Sequence, residues 1–313
     1  MPSTGECRHD GPSRTSTTTT GSFSLTLIAA FGLALVAAVI IAPVAAMAVA
    51  AAGFRFPFPR IFDRTMMVTL SVTLLWFGRR LKLLNFLHQG FSTAQELGIW
   101  QAVSGLALAA GAMGVLFVLT AITAGNFRVS MIAASAPRYL PAAVLIAILE
   151  EGFFRAFLLA GIEGDIGSSG ALLASSAIFA LVHVVRSPAR FYLTGFEPLA
   201  GVQNLAAGTE RMIHAEIGRP LLGLFLLGLV LGEAFILTRR IYCGLGLHAG
   251  FVLGAKTWRL SASGAMPRWL AGPGPVPLVA APAAWVISAI MLIVLPLWLR
   301  AGQRQHPDPD SLP

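Results

Sequence analysis

Charge is what this chain has least of. Only 12% of its 313 residues are Asp, Glu, Lys or Arg, against 56% hydrophobic. A soluble domain of that length needs far more charge to cover its surface, so water is not the main solvent, and the mean hydropathy of +0.76 agrees. Cysteine is scarce too. Cys7 stands in a polar N-terminal stretch and Cys243 at a helix start, a setting that makes a disulfide between them improbable and leaves the redox compartment unread. The net charge of +8 is spread over connecting stretches with no basic block, which fits anionic lipid headgroups and gives no sign of a nucleic-acid partner. No His-Glu-x-x-His run of the zinc proteases occurs. The glycines at 244, 246 and 250 have the wrong spacing for a dinucleotide fingerprint and no strand before them.

Long apolar runs dominate what remains. Eight can be delimited, at about 24–53, 65–77, 95–124, 139–160, 169–185, 220–238, 241–256 and 274–299. A bilayer span needs about 20 residues, so the second and seventh are short enough to be tilted or partly interfacial. The fold class expected is all-α, a polytopic membrane bundle of about eight helices. It divides into a disordered polar tail over 1–22, N-terminal membrane helices over 23–134, a helical core over 135–260, a C-terminal membrane helix over 261–300 and a polar tail over 301–313. The first run exceeds the roughly 7 to 15 apolar residues of a signal-peptide core, so a retained anchor is expected there despite small residues such as Ala45 and Ala46. In an eight-span arrangement nine Lys and Arg fall on the side of the termini and twelve on the other, a difference too small to fix orientation. Gly228-x-x-x-Gly232 lets helix backbones approach closely.

Against that background one cluster stands out. Glu150, Glu151 and Arg155 sit inside the fourth run. Each ionisable group at bilayer depth costs on the order of 2.5 to 3.5 kcal/mol on insertion scales, so such groups pair, face a polar cavity or do chemistry. Glu151 and Arg155 are four apart and share a helix face, which is enough to explain both as an ion pair. Glu150 points about 100° away and needs a partner on another helix. Two intramembrane histidines supply candidates. His183 closes the fifth run with Phe179 one turn earlier, and His248 lies in the seventh. A lone intramembrane histidine is usually a helix-bridging hydrogen bonder; two of them beside an unpaired acid point to a site. His9 and His306 fall in the tails, and solvation explains His88 and His214. Glu233 is a further buried acid with no evident partner.

The ordered set Glu150-Glu151-x-x-x-Arg155, Phe179-x-x-x-His183 and His248 resembles the three motifs of the CAAX protease and bacteriocin-processing (CPBP, or Abi) family of intramembrane proteases, over roughly residues 135 to 260. The resemblance implies an integral protein of a bacterial cytoplasmic membrane that hydrolyses peptide bonds of a peptide or membrane-protein substrate, with membrane lipid around it. It implies Glu150 as general base, His183 helping to hold the water, Glu151 and Arg155 as the supporting pair, and His248 donating to the oxyanion. Nothing here reads a prenyl chain. Cofactor use stays open: a divalent metal such as zinc would take Glu150, His183 and His248 as ligands with water as the fourth. One departure is Val252, where the family often carries Asn or Asp four residues after the histidine, so a second oxyanion donor is missing or comes from elsewhere.

Three other readings compete. Gly167-Ser168-Ser169-Gly170 is similar to the serine motif of rhomboid proteases, with Ser169 and His248 as the pair, although a serine at a helix start ordinarily caps it. A scaffold or immunity-type membrane protein could carry the same polar core without cutting anything. A transporter would predict internal repeats, and the two halves show none.

Overall fold

The computed structural model describes residues 22–92, 94–124, 127–184, 191–214, 217–262, 266–272 and 278–303. Both expected polar tails lie essentially outside these. Among the described residues there are no strands. The chain forms α1 (Ser22–Ala51), α2 (Phe58–Phe77), α3 (Leu83–Phe91), α4 (Gln95–Ala124), α5 (Val129–Glu151), a π-helical segment (Gly152–Leu159), α6 (Ala160–Val184), α7 (Ala200–His214), α8 (Gly218–Thr238), α9 (Tyr242–Ser261) and α10 (Pro282–Gln303). The all-helical class therefore holds. Four helices have the length and apolarity to cross a membrane, within Phe23–Ala51, Gln95–Thr123, Gly218–Thr238 and Pro282–Ala301. This is an integral membrane protein. The sequence pattern missed α3 and α7, because both lie in stretches too polar or too short to register as spans.

α1 shows how composition sets packing. Ala30, Ala34, Ala38, Ala42 and Ala46 recur every fourth residue and are all buried, while Leu33, Ile40 and Val44 on other faces stay exposed. The small stripe lets α2 approach, and Thr69 Oγ1 donates across to Ala34 O at 2.9 Å. The tightest crossing is between α4 and α9. A Cβ on Gly246 would stand 2.0 Å from Ala102 O, and one on Gly105 would stand 2.1 Å from Cys243 O. Only glycine permits that approach.

α5 runs antiparallel to α9. Its end abuts the start of α9, and Lys256 Nζ near the end of α9 lies 5.6 Å from the ring of Tyr139. The chain continues from α5 through the π-helical segment and reverses at Gly167, whose φ of 75° breaks α6 internally. That reversal is pinned from two sides. Ser24 donates its backbone N–H to Asp165 Oδ2 at 2.9 Å, and Arg239 Nη1 pairs with Glu163 Oε2 at 2.6 Å. Ser168 also donates to the Glu163 carboxylate. α3 caps the start of α9, since Ile241 N–H donates to Gly90 O at 3.2 Å and Tyr242 OH to Phe91 O at 2.9 Å.

Candidate active site

Three elements meet at the polar cluster. The junction of α5 with the π-helical segment supplies Glu150, Glu151 and Arg155; α6 supplies His183; α9 supplies His248. π-Helical turns are rare and concentrate at functional positions, and this one begins directly after the acid pair.

The two neighbouring acids have separate partners. Glu151 is fully buried. Its Oε2 lies 3.3 Å from Arg155 Nε, one turn on, and its Oε1 lies 2.8 Å from His248 Nδ1. The Arg155 guanidinium also donates from Nη2 to Gly228 O on α8 at 3.3 Å and lies over the Phe179 ring at 4.9 Å and the Phe154 ring at 5.7 Å. Aromatic faces replace part of its hydration, as desolvated cation–π contacts do. Gly244 is part of the same enclosure, because a Cβ there would stand 2.7 Å from Glu151 Oε2.

Glu150 turns the other way, toward the two imidazoles. Its Oε2 lies 3.3 Å from His183 Nε2 and 3.6 Å from His248 Nε2. That oxygen is buried and accepts no hydrogen bond of good geometry from the described residues. Glu150 and His183 keep 26% and 28% of their side-chain surface exposed, against 4% for His248. The pocket therefore opens on the Glu150–His183 side and is closed behind by Glu151, Arg155 and His248.

Ring orientation follows from the other nitrogens. His183 Nδ1 lies 2.7 Å from Phe179 O. A carbonyl only accepts, so Nδ1 carries the proton, and a neutral ring presents a bare Nε2 to Glu150. His248 Nδ1 likewise donates to the Glu151 carboxylate, so donation from its Nε2 requires the doubly protonated ring. Phe179 packs 4.4 Å from the His183 ring centroid and 6.1 Å from that of His248, walling both.

The remaining sequence candidates fall outside this cluster. Ser169 begins the part of α6 that follows Gly167 and lies about 20 Å along the helix from His183 at 1.5 Å per residue. The structure does not bring it to His248. Val252 is one turn beyond His248 and adds no donor. Glu233 is partly buried, with Oε2 lacking a partner among the described residues. Gly228 and Gly244 read in sequence as packing glycines. One offers its carbonyl to Arg155 and the other makes room for the Glu151 carboxylate, roles no spacing rule distinguishes.

Glu150, His183 and His248 are the right donor types for a zinc ion. Among the described residues, however, no group of three His, Cys, Asp or Glu side chains is placed to hold a metal ion. No step below runs through a metal.

Residues 133–254 match the family model for the type II CAAX prenyl endopeptidase Rce1-like domain. The match begins two residues before the expected core and ends six residues short of its limit. It contains every member of the polar cluster. No curated protein and no solved structure matches the chain.

Proposed function

We propose, from the Rce1-like domain over residues 133–254, that this protein is an intramembrane endopeptidase in which Glu150 activates a water for attack on a peptide carbonyl. The observation that carries the reading is the Glu150 carboxylate oxygen standing 3.3 and 3.6 Å from the Nε2 atoms of His183 and His248. These separations are within what one water can bridge.

The chemistry runs as follows. Water sits at the open side, donating to Glu150 and to the bare Nε2 of His183. Glu150 removes its proton as the water oxygen bonds to the carbonyl carbon. The carbonyl oxygen becomes an oxyanion, and doubly protonated His248 donates to it from Nε2. Collapse breaks the C–N bond, and the proton held by Glu150 passes to the leaving amine. Glu151 and Arg155 do not touch the reacting atoms. They hold the His248 ring and balance its charge. Peptide or membrane-protein segments in a bacterial cytoplasmic membrane are the substrate class.

The test is cleavage of a transmembrane reporter by purified protein in proteoliposomes. Glu150→Gln keeps the shape and removes the base, and activity falls by about 10²- to 10⁴-fold. Ser169→Ala leaves the rate unchanged, and so does a metal chelator. Full activity in Glu150→Gln overturns Glu150 as the base, and no cleavage by the wild-type protein overturns the enzyme reading in favour of a scaffold that binds without cutting.

A further inference from the structure

A second concavity, away from the polar cluster, has a volume of about 870 Å³ and is formed where α1 ends, with Ala46, Ala50, Arg55 and Tyr192 among its walls. The α1 span stops at Ala51, so the cleft lies at the level where hydrocarbon gives way to headgroups. Its chemistry is two-sided. Among the described residues Arg55 is the one ionisable cation lining it. Phe54 and Phe56 flank Arg55 as a parallel ring pair with centroids 6.2 Å apart, and Phe54 is 60% exposed. Aromatic rings with a basic side chain are the composition of a membrane interface.

Arg55 is not occupied by its own helix. The last carbonyls of α1 are capped by backbone donors: Ala52 N–H to Ala48 O at 3.0 Å, Gly53 N–H to Ala50 O at 3.0 Å and Phe54 N–H to Val49 O at 3.1 Å. Gly53, with φ +85°, makes that turn and sets Arg55 beyond the helix end. No acid among the described residues lines the cleft. Arg60 and Arg64 follow on α2 with Asp63 between them, so the surroundings remain net positive.

We infer that the cleft is a binding site for an anionic phospholipid, with the phosphate on Arg55, the headgroup beside Tyr192 and an acyl chain against the apolar wall of Ala46, Ala50 and Ile61. A cation at the mouth of an apolar slot selects a ligand that is anionic at one end and hydrocarbon at the other.

Native mass spectrometry of the full-length protein, offered equal amounts of dioleoylphosphatidylglycerol and dioleoylphosphatidylcholine, tests this. Phosphatidylglycerol is retained preferentially. Arg55→Gln weakens its retention about 5-fold, the effect of one interfacial cation. Arg300→Gln, an equal loss of charge in the last turn of α10, leaves retention unchanged. Ala50→Trp fills the cleft without altering charge and also lowers retention. Soluble glycerol phosphate at the same concentration does not displace the lipid. Equal effects of Arg55→Gln and Arg300→Gln would mean only diffuse surface attraction, and overturn the site. So would normal retention in Ala50→Trp, or displacement by glycerol phosphate.

Discussion

Glu151 Oε1 and His248 Nδ1 lie 2.8 Å apart across 97 residues of sequence, both buried, joining the end of α5 to the first turns of α9. This contact makes the site a network. The same carboxylate faces Arg155, and Arg155 reaches α8 through Gly228 O. One buried acid thus touches the register of three helices, and its removal is felt in stability as well as in turnover.

Glu151→Gln leaves the Arg155 cation buried without its counter-charge. Breaking a buried pair by removing one partner costs about 3 to 5 kcal/mol. Thermal unfolding in detergent is expected to drop accordingly, with activity falling as well. Adding Arg155→Met to that variant recovers much of the stability but not the activity, since His248 still lacks its anion. Recovery of both would show that the pair has no part in holding His248.

Gly244→Ala is a conservative change that should act on chemistry. Its Cβ would stand 2.7 Å from Glu151 Oε2, so the carboxylate must shift away. Misplacement of about 1 Å at a catalytic constellation can cost on the order of 10²-fold. The expected result is a fall in kcat with KM little changed. Unaltered kcat would count against a positioning role for Glu151.

Val252→Asn tests the missing donor. Loss of one oxyanion donor costs about 10²- to 10³-fold in other hydrolases. Installing an amide one turn after His248 should raise kcat, by at least about 10-fold if it reaches the oxyanion. A fall in rate would mean that this pocket stabilises the oxyanion by another route.

Glu163 carries the pH prediction. It lies outside the spans, and its hydrogen bond from Arg239, with a further one from Ser168, holds its carboxyl below the ordinary value of 4.5 despite partial burial. A depressed carboxylate contributes stability that is fully present above the unfolded value and is lost as pH falls through the folded one. Unfolding midpoints of the wild-type protein and Glu163→Gln should therefore differ at neutral pH and converge as the pH falls through the lowered value. A gap that persists in acid would assign the effect to packing.

The sequence carried the helical class through hydropathy, and carried the polar cluster because ionisable groups in apolar runs are conspicuous. Glu151 and Arg155 were legible as a pair from their spacing of four, and the structure has them 3.3 Å apart. The step of about 100° between neighbouring helix positions also indicated that Glu150 would seek other helices. What sequence could not yield was any contact between elements: His248 facing Glu151, the Gly228 carbonyl under Arg155, and the space beside Gly244. Periodicity fixes which face a residue occupies but not which helix lies opposite. α3 and α7 stayed hidden for another reason. Their apolar residues gather on one helical face between polar ones, a pattern that a search for continuous apolar runs passes over.

From Phe154 to Leu159 every side chain of the π-helical segment is buried, on all azimuths rather than along one stripe. The acids stand immediately before this enclosed stretch, where Glu151 and Arg155 share its burial while Glu150 keeps 26% of its side chain exposed. An anchor closed on every azimuth leaves the Glu151–Arg155 pair little room to turn, and only the Glu150 side of the cluster stays open to a visitor.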